Sequence, residues 1–112
     1  MRRGDLVIAA VPGDYGKPRP VLVLQDDAFE ALPSVTVMPL TTDLHTLPLL
    51  RIEVPPSPEN GLHERSQIMI DKVTTISRTR MRQEIGRVDN ATMLSATAAL
   101  AVFLGLIPSD DG

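Results

Sequence analysis

The chain has no cysteine and no tryptophan, one tyrosine, two phenylalanines and two histidines. Without thiols there can be no disulfides, no thiolate metal sites and no cysteine nucleophiles. His45 and His63 cannot make a metal centre on their own, so neither metal nor cofactor is expected. The N-terminus reads Met-Arg-Arg-Gly-Asp, then a short apolar run with proline and charge close behind. That pattern is neither a signal peptide nor a membrane span, so no membrane contact and a cytoplasmic location are expected.

What is present fits a small globular protein. The chain has 112 residues, of which 43% are hydrophobic, and is expected to form a single domain over residues 1–112. A core this small leaves apolar surface that a second copy would most simply cover, so a homodimer is expected. The net charge of −3 opposes binding of nucleic acid through bulk charge. The charge is segregated, however. Residues 22–64 carry Arg51 against seven acidic residues, whereas residues 65–87 carry Arg65, Lys72, Arg78, Arg80, Arg82 and Arg87 against Asp71 and Glu84. Such a cluster permits an RNA-tracking face and equally fits ordinary solvated surface.

Periodicity predicts strands over Asp5–Val11, Val21–Gln25, Ser34–Leu40 and Leu49–Val54, with a helical turn over 26–31. Further short strands are predicted over Gln67–Ile70, Lys72–Ser77 and Gln83–Val88, and Asn60-Gly61 marks a turn. Arg78, Arg80 and Arg82 would line one side if their segment were extended. From Asp89 or Asn90, both good N-caps, the run ATMLSATAALAVFLGL is uncharged and reads as the one long helix, expected as core and otherwise as an oligomer contact. Met93, Thr97, Leu100, Leu104 and Ile107 share its apolar face. The sum is a β-rich α+β domain closed by a C-terminal helix.

The stretch Gly13–Gln25, GDYGKPRPVLVLQ, joins a polar loop to a strand apolar on both faces and holds Arg19 between two prolines. Pro20 excludes the helical region for Arg19, and Pro18 stiffens its approach. A guanidinium on a rigid strand entrance suits a phosphate; a surface arginine that merely precedes a strand fits the same pattern.

Five pieces of the chain together resemble the MazF/PemK (Kid) toxins of type II toxin-antitoxin systems. They are Arg3-Gly4-Asp5, Gly13 with Gly16, Arg19-Pro20-Val21-Leu22-Val23, Pro39-Leu40-Thr41-Thr42 and Gly86-Arg87-Val88, and the likeness runs from Arg3 to about Leu106. It implies an SH3-like barrel with a C-terminal helix, the fold shared by MazF, Kid and CcdB. It also implies a metal-independent endoribonuclease that cuts single-stranded RNA at short motifs, leaving a 2′,3′-cyclic phosphate and a 5′-hydroxyl. A MazE/PemI-like antitoxin is the implied partner, with DNA contacted only through the antitoxin complex.

Cleavage through the ribose 2′-hydroxyl asks the protein to align the attack, to neutralise the charge growing on phosphorus and to move protons. By resemblance the catalytic residues are Arg19 and Thr41. Tyr15, Lys17 and Thr42 are the expected substrate contacts. The proton acceptor stays open: the first loop offers Asp14, Tyr15 and Lys17 where some family members have histidine or glutamate. His45 and Asp71 are further candidates, Asp71 equally an ion-pair partner of Lys72 or Arg65. Two other readings remain, a gyrase-binding poison of the CcdB kind and a degenerate toxin that binds antitoxin without cutting. The first is weakened because CcdB-like chains rely on a tryptophan-containing C-terminus, and this chain has no tryptophan.

Overall fold

A computed structural model of the protein describes residues 1–13 and 17–108. Strands β1 (Asp5–Ala10), β2 (Pro18–Val23) and β3 (Ser34–Thr41) form an antiparallel meander. Strand β3 then forks. Its first half pairs with β6 (Thr74–Ser77), Val37 opposite Thr74, and its end pairs with β5 (Ser66–Met69), Leu40 opposite Ile68 and Thr41 opposite Gln67. Pro39 sits at the fork, between the two ladders, where a missing N–H does no harm. Strand β4 (Arg51–Val54) flanks β5, and β7 (Met81–Arg87) takes the outer edge of β1.

Alternation along the meander feeds two cores. Leu6, Leu22, Met38 and Leu40 face Ile68, Val54 and helix α1 (Asn90–Phe103), while Val7, Val21, Val23, Val35 and Val37 pack inside the curl of the sheet with Ile76 and Met81. The Val21–Val23 part of β2 is thus covered on both faces, as its composition predicts. The expected barrel is not closed: among the described residues no ladder joins β6 to β7, and the ring is completed only by the 3-10 turn Arg78–Arg80 between them. The segment is therefore not extended, and the condition for Arg78, Arg80 and Arg82 to line one side is not met. Ser77 caps it, its hydroxyl accepting from Thr79 N–H at 3.3 Å, and Arg78 donates to the Leu32 carbonyl.

Two of the family-like pieces prove to be one structural knot. Asp5, 6% exposed, accepts from Arg2 N–H at 2.7 Å and pairs with Arg87, which also donates to the Arg3 carbonyl at 3.0 Å. Val88 N–H donates to the Gly4 carbonyl, so Arg3-Gly4-Asp5 and Gly86-Arg87-Val88 lock the start of β1 to the end of β7. Beside this knot the Asn60-Gly61 turn presses backbone to backbone on β7. Buried Asn60 holds the turn together, bonding Ser57 N–H, Leu62 N–H and the Pro55 carbonyl.

Helix α1 begins at Asp89, whose carboxylate accepts from Thr92 N–H at 2.7 Å, and ends at Gly105, where Leu106 N–H reaches back to the Ala101 carbonyl at 2.8 Å in a Schellman motif. Only Ala96 and Ala99 are buried; Met93 and Leu100 pack partway, and Leu94 and Leu106 are 72% and 73% exposed. The helix expected as core therefore shows most of its apolar surface to solvent. Asp89 is held below the usual carboxylate range by the Thr92 hydroxyl and then by the Thr92 amide. A folded-state value below the unfolded one gives stability that is present at neutral pH and lost as the pH falls from about 4. Thermal melts should therefore show Asp89→Asn losing less stability than the wild-type protein between pH 5 and pH 3.

Candidate active site

Strand β2 begins at Pro18, not after Arg19, so Arg19 lies within the strand. Pro18 and Pro20 share one edge of it. Val23 turns its carbonyl toward β1, accepting from Gly4 N–H, and Leu24 turns its N–H toward Thr36 of β3. By alternation the two prolines point their missing donors toward β3, in the stretch where the β2–β3 ladder has already ended at Val21 opposite Pro39. Sheet pairing stops there and leaves a mouth between the strands.

Continuing the register past Val21 and Pro39 sets Pro20 opposite Leu40 and Arg19 opposite Thr41. Pro20 has no N–H for the Leu40 carbonyl, and the Arg19 guanidinium donates to it instead, at 3.4 Å. Arg19 and Thr41 thus project from one face of neighbouring strands as a cross-strand pair. Both are half-buried. A hollow of about 270 Å³ opens between them and brings together Lys17, Arg19, Thr41, Thr42 and Ser66. Four of the five site residues read from the sequence meet here; Tyr15 lies outside the described residues.

A second hollow, about 340 Å³, borders Arg19 as well and is lined by Gly13, Met69, Lys72 and Thr74 among others. Lys72, Thr74 and Ser66 were not singled out for the site by sequence, since a lysine in a short turn or a hydroxyl on a short strand gives no signal until the fork in β3 places it. Asp71 is an ion-pair partner, but of Arg51, at 2.7 Å, and not of Lys72 or Arg65; Arg65 instead pairs with Glu53 at 2.6 Å. Among the described residues no three imidazole or carboxylate groups converge closely enough to hold a metal ion.

The chemistry on offer is cationic and hydroxylic. Arg19 presents a fork of donors matched to phosphate oxygens, with the Lys17 ammonium at the rim. Thr41 Oγ1 accepts from Asp43 N–H at 3.0 Å, which leaves the hydroxyl proton as the group it can present to a ligand.

Residues 2–104 match the family described as "PemK-like, MazF-like toxin of type II toxin-antitoxin system". The chain is 51% identical over 107 residues to a probable endoribonuclease MazF of Mycolicibacterium smegmatis, covering 95% of this chain and 98% of the relative. Among solved structures it is similar to the Mycobacterium tuberculosis toxin MazF-mt6, with a TM-score of 0.80, 27% identity and coverage of 93% of this chain and 99% of the other. It is also similar to a mycobacterial endoribonuclease in complex with its cognate antitoxin, with a TM-score of 0.81, 25% identity and coverage of 97% and 99%. A match that takes in the knot at both ends of the sheet and the Arg19–Thr41 pair between them leaves one assignment: this chain belongs to the PemK-like, MazF-like toxins of type II toxin-antitoxin systems.

Proposed function

We propose that this protein is a toxin that cuts single-stranded RNA without a metal ion, through attack of the ribose 2′-hydroxyl on the adjoining phosphate. The observation that carries the reading is the convergence of Arg19 and Thr41 on one open hollow. Arg19 neutralises the charge that grows on the phosphoryl oxygens, and the Thr41 hydroxyl donates to one of them, holding phosphorus in line between the 2′-oxygen and the departing 5′-oxygen. Thr42 and Lys17 steady the flanking backbone. The products are a 2′,3′-cyclic phosphate and a 5′-hydroxyl.

Relatives named as endoribonucleases, one of them solved with its antitoxin, support the activity and a cognate antitoxin as partner. A cytoplasmic site of action follows from an RNA substrate. The exposed apolar side of α1, with Leu94, Leu104 and Leu106, supports a homodimer.

Purified protein incubated with RNA in EDTA should yield fragments with these ends. Cleavage only with added divalent metal, or 3′-phosphates formed directly by water, would overturn the reading. Thr41→Val should lower the single-turnover rate about 100-fold with RNA affinity kept, and Thr41→Ser should restore most of it; equal rates for all three proteins would remove Thr41 from the reaction.

A further inference from the structure

Among the described residues, the hollow that holds Arg19 and Thr41 is lined by two cations, Lys17 and Arg19, and by hydroxyls, with no imidazole or carboxylate. Arginine stays protonated at neutral pH. The segment leaving Thr41 carries a group able to accept the 2′-hydroxyl proton, His45, in a setting where a buried amide holds its main chain.

Three observations define that setting. Asp43 N–H donates to Thr41 Oγ1 at 3.0 Å, so the chain turns back over the end of β3. Gln67, 4% exposed and directly opposite Thr41 in the β3–β5 ladder, then clamps the backbone of His45 in both directions: its Oε1 accepts from His45 N–H at 3.0 Å and its Nε2 donates to the His45 carbonyl at 2.8 Å. Finally His45 Nε2 lies 3.1 Å from Asp43 Oδ2. The clamp fixes the main chain of His45, while its imidazole, 54% exposed beside the Asp43 carboxylate, stays open to a ligand. His63, on the exposed turn before β5, is the chain's other histidine.

We propose that His45, oriented by Asp43, is the proton acceptor of the RNA-cleaving reaction. This rests on the function proposed above. An ionised Asp43 carboxylate can only accept, so the hydrogen between them sits on Nε2, and the neutral ring keeps its lone pair on Nδ1. The arrangement follows the logic of a carboxylate that fixes a histidine's tautomer for its task. The charged groups on the neighbouring elements are Lys17 and Arg19 on the β2 side of the hollow, and the Glu53–Arg65 pair next to Gln67 on the β4 side.

The step balances without a co-reactant. Nδ1 takes the 2′-hydroxyl proton as the O2′–P bond forms and the P–O5′ bond breaks. The 5′-oxygen gains a proton from water, and the imidazolium returns its own to solvent.

The test uses the intact protein in EDTA, a short single-stranded RNA containing a mapped cut site, and the same RNA with a 2′-deoxy sugar at that site as a binding probe. Wild-type protein should cut faster as the pH rises from 5 and then level off. His45→Gln should lose at least 100-fold in single-turnover rate together with that acidic limb, while binding the deoxy probe within about twofold of wild type. Asp43→Asn, which keeps the main-chain bond to Thr41, should lose about tenfold with the same probe affinity. His63→Gln should match wild type throughout. A His45→Gln protein that keeps the wild-type rate and limb overturns the assignment and leaves RNA cleavage standing; a wild-type protein that cuts no RNA removes both readings.

Discussion

Arg19→Ala should reduce RNA cleavage about 1,000-fold or more and leave the melting temperature within a few degrees of wild type. The loss is large because, among the described residues, the guanidinium is the one cation bordering both hollows; Lys17 and Lys72 border one each, and an ammonium lacks the paired donors of a guanidinium. The fold should survive because the position sits where β2 no longer pairs with β3. Among the bonds of its side chain, the one to the Leu40 carbonyl is long, 3.4 Å, and lies at an opening that water can enter. Arg19→Lys should recover only part of the rate, since an ammonium cannot offer the paired donors of a guanidinium to two phosphoryl oxygens. The measurements are single-turnover cleavage and thermal denaturation followed by circular dichroism; an Arg19→Ala protein that cuts at wild-type rate would falsify the assignment of this site.

The largest loss of stability is expected from Gly61→Ala. Gly61 has φ +70°, and a Cβ built on it would stand 2.0 Å from the Ile85 carbonyl oxygen, so the turn and β7 would have to part. Gly86 faces the same seam from the other side, its Cβ 2.4 Å from the Glu59 carbonyl oxygen. Backbone cannot swing aside as a side chain can. The change should cost on the order of 4 kcal/mol, and the melting temperature should fall by roughly 15 °C or more. Gly13→Ala provides the contrast. Its φ is +95° but nothing lies within 4 Å of the added carbon, so only the conformational penalty remains, about 1 kcal/mol. Similar melts for the two variants would show that the turn moves away from β7 more readily than its hydrogen bonds suggest.

Much of this architecture could be read from residue order. Val21–Leu24 announced a strand buried on both faces because apolar residues fill both alternating sets, and the meander delivers a core to each. The uncharged run after Asp89 announced a helix for a local reason, a good cap followed by strong helix formers. Which way that helix faces was not legible. Spacing chose the face of Met93, Thr97, Leu100, Leu104 and Ile107, yet in a helix apolar nearly all round that choice was weak. Thr97, Leu104 and Ile107 are exposed, and the sheet accepts the stripe through Ala96 and Ala99 with Met93 and Leu100 at its border. For the arginines at 78, 80 and 82 the sequence left the conformation open: spacing by two gives a shared side only in extended chain, and Ser77 turns the chain instead. For the site, the resemblance singled out Arg19 and Thr41, but the register that makes them neighbours depends on where two prolines end a ladder. Long-range pairing of that kind leaves no local trace. The clamp from Gln67 to His45 spans 22 residues and was invisible for the same reason.

The unclosed seam has a dynamic consequence. Strands β6 and β7 meet through one covalent turn, so their facing amides lack the cross-strand partners that slow exchange with deuterium, whereas β2 and β3 are laddered on both sides over much of their length. Deuterium should enter first along the seam and last in the middle of the meander. The residues assigned to cutting RNA would then stand just past the end of the slowest-breathing ladder, Val21–Val23 with Val37–Pro39, on strands anchored by it.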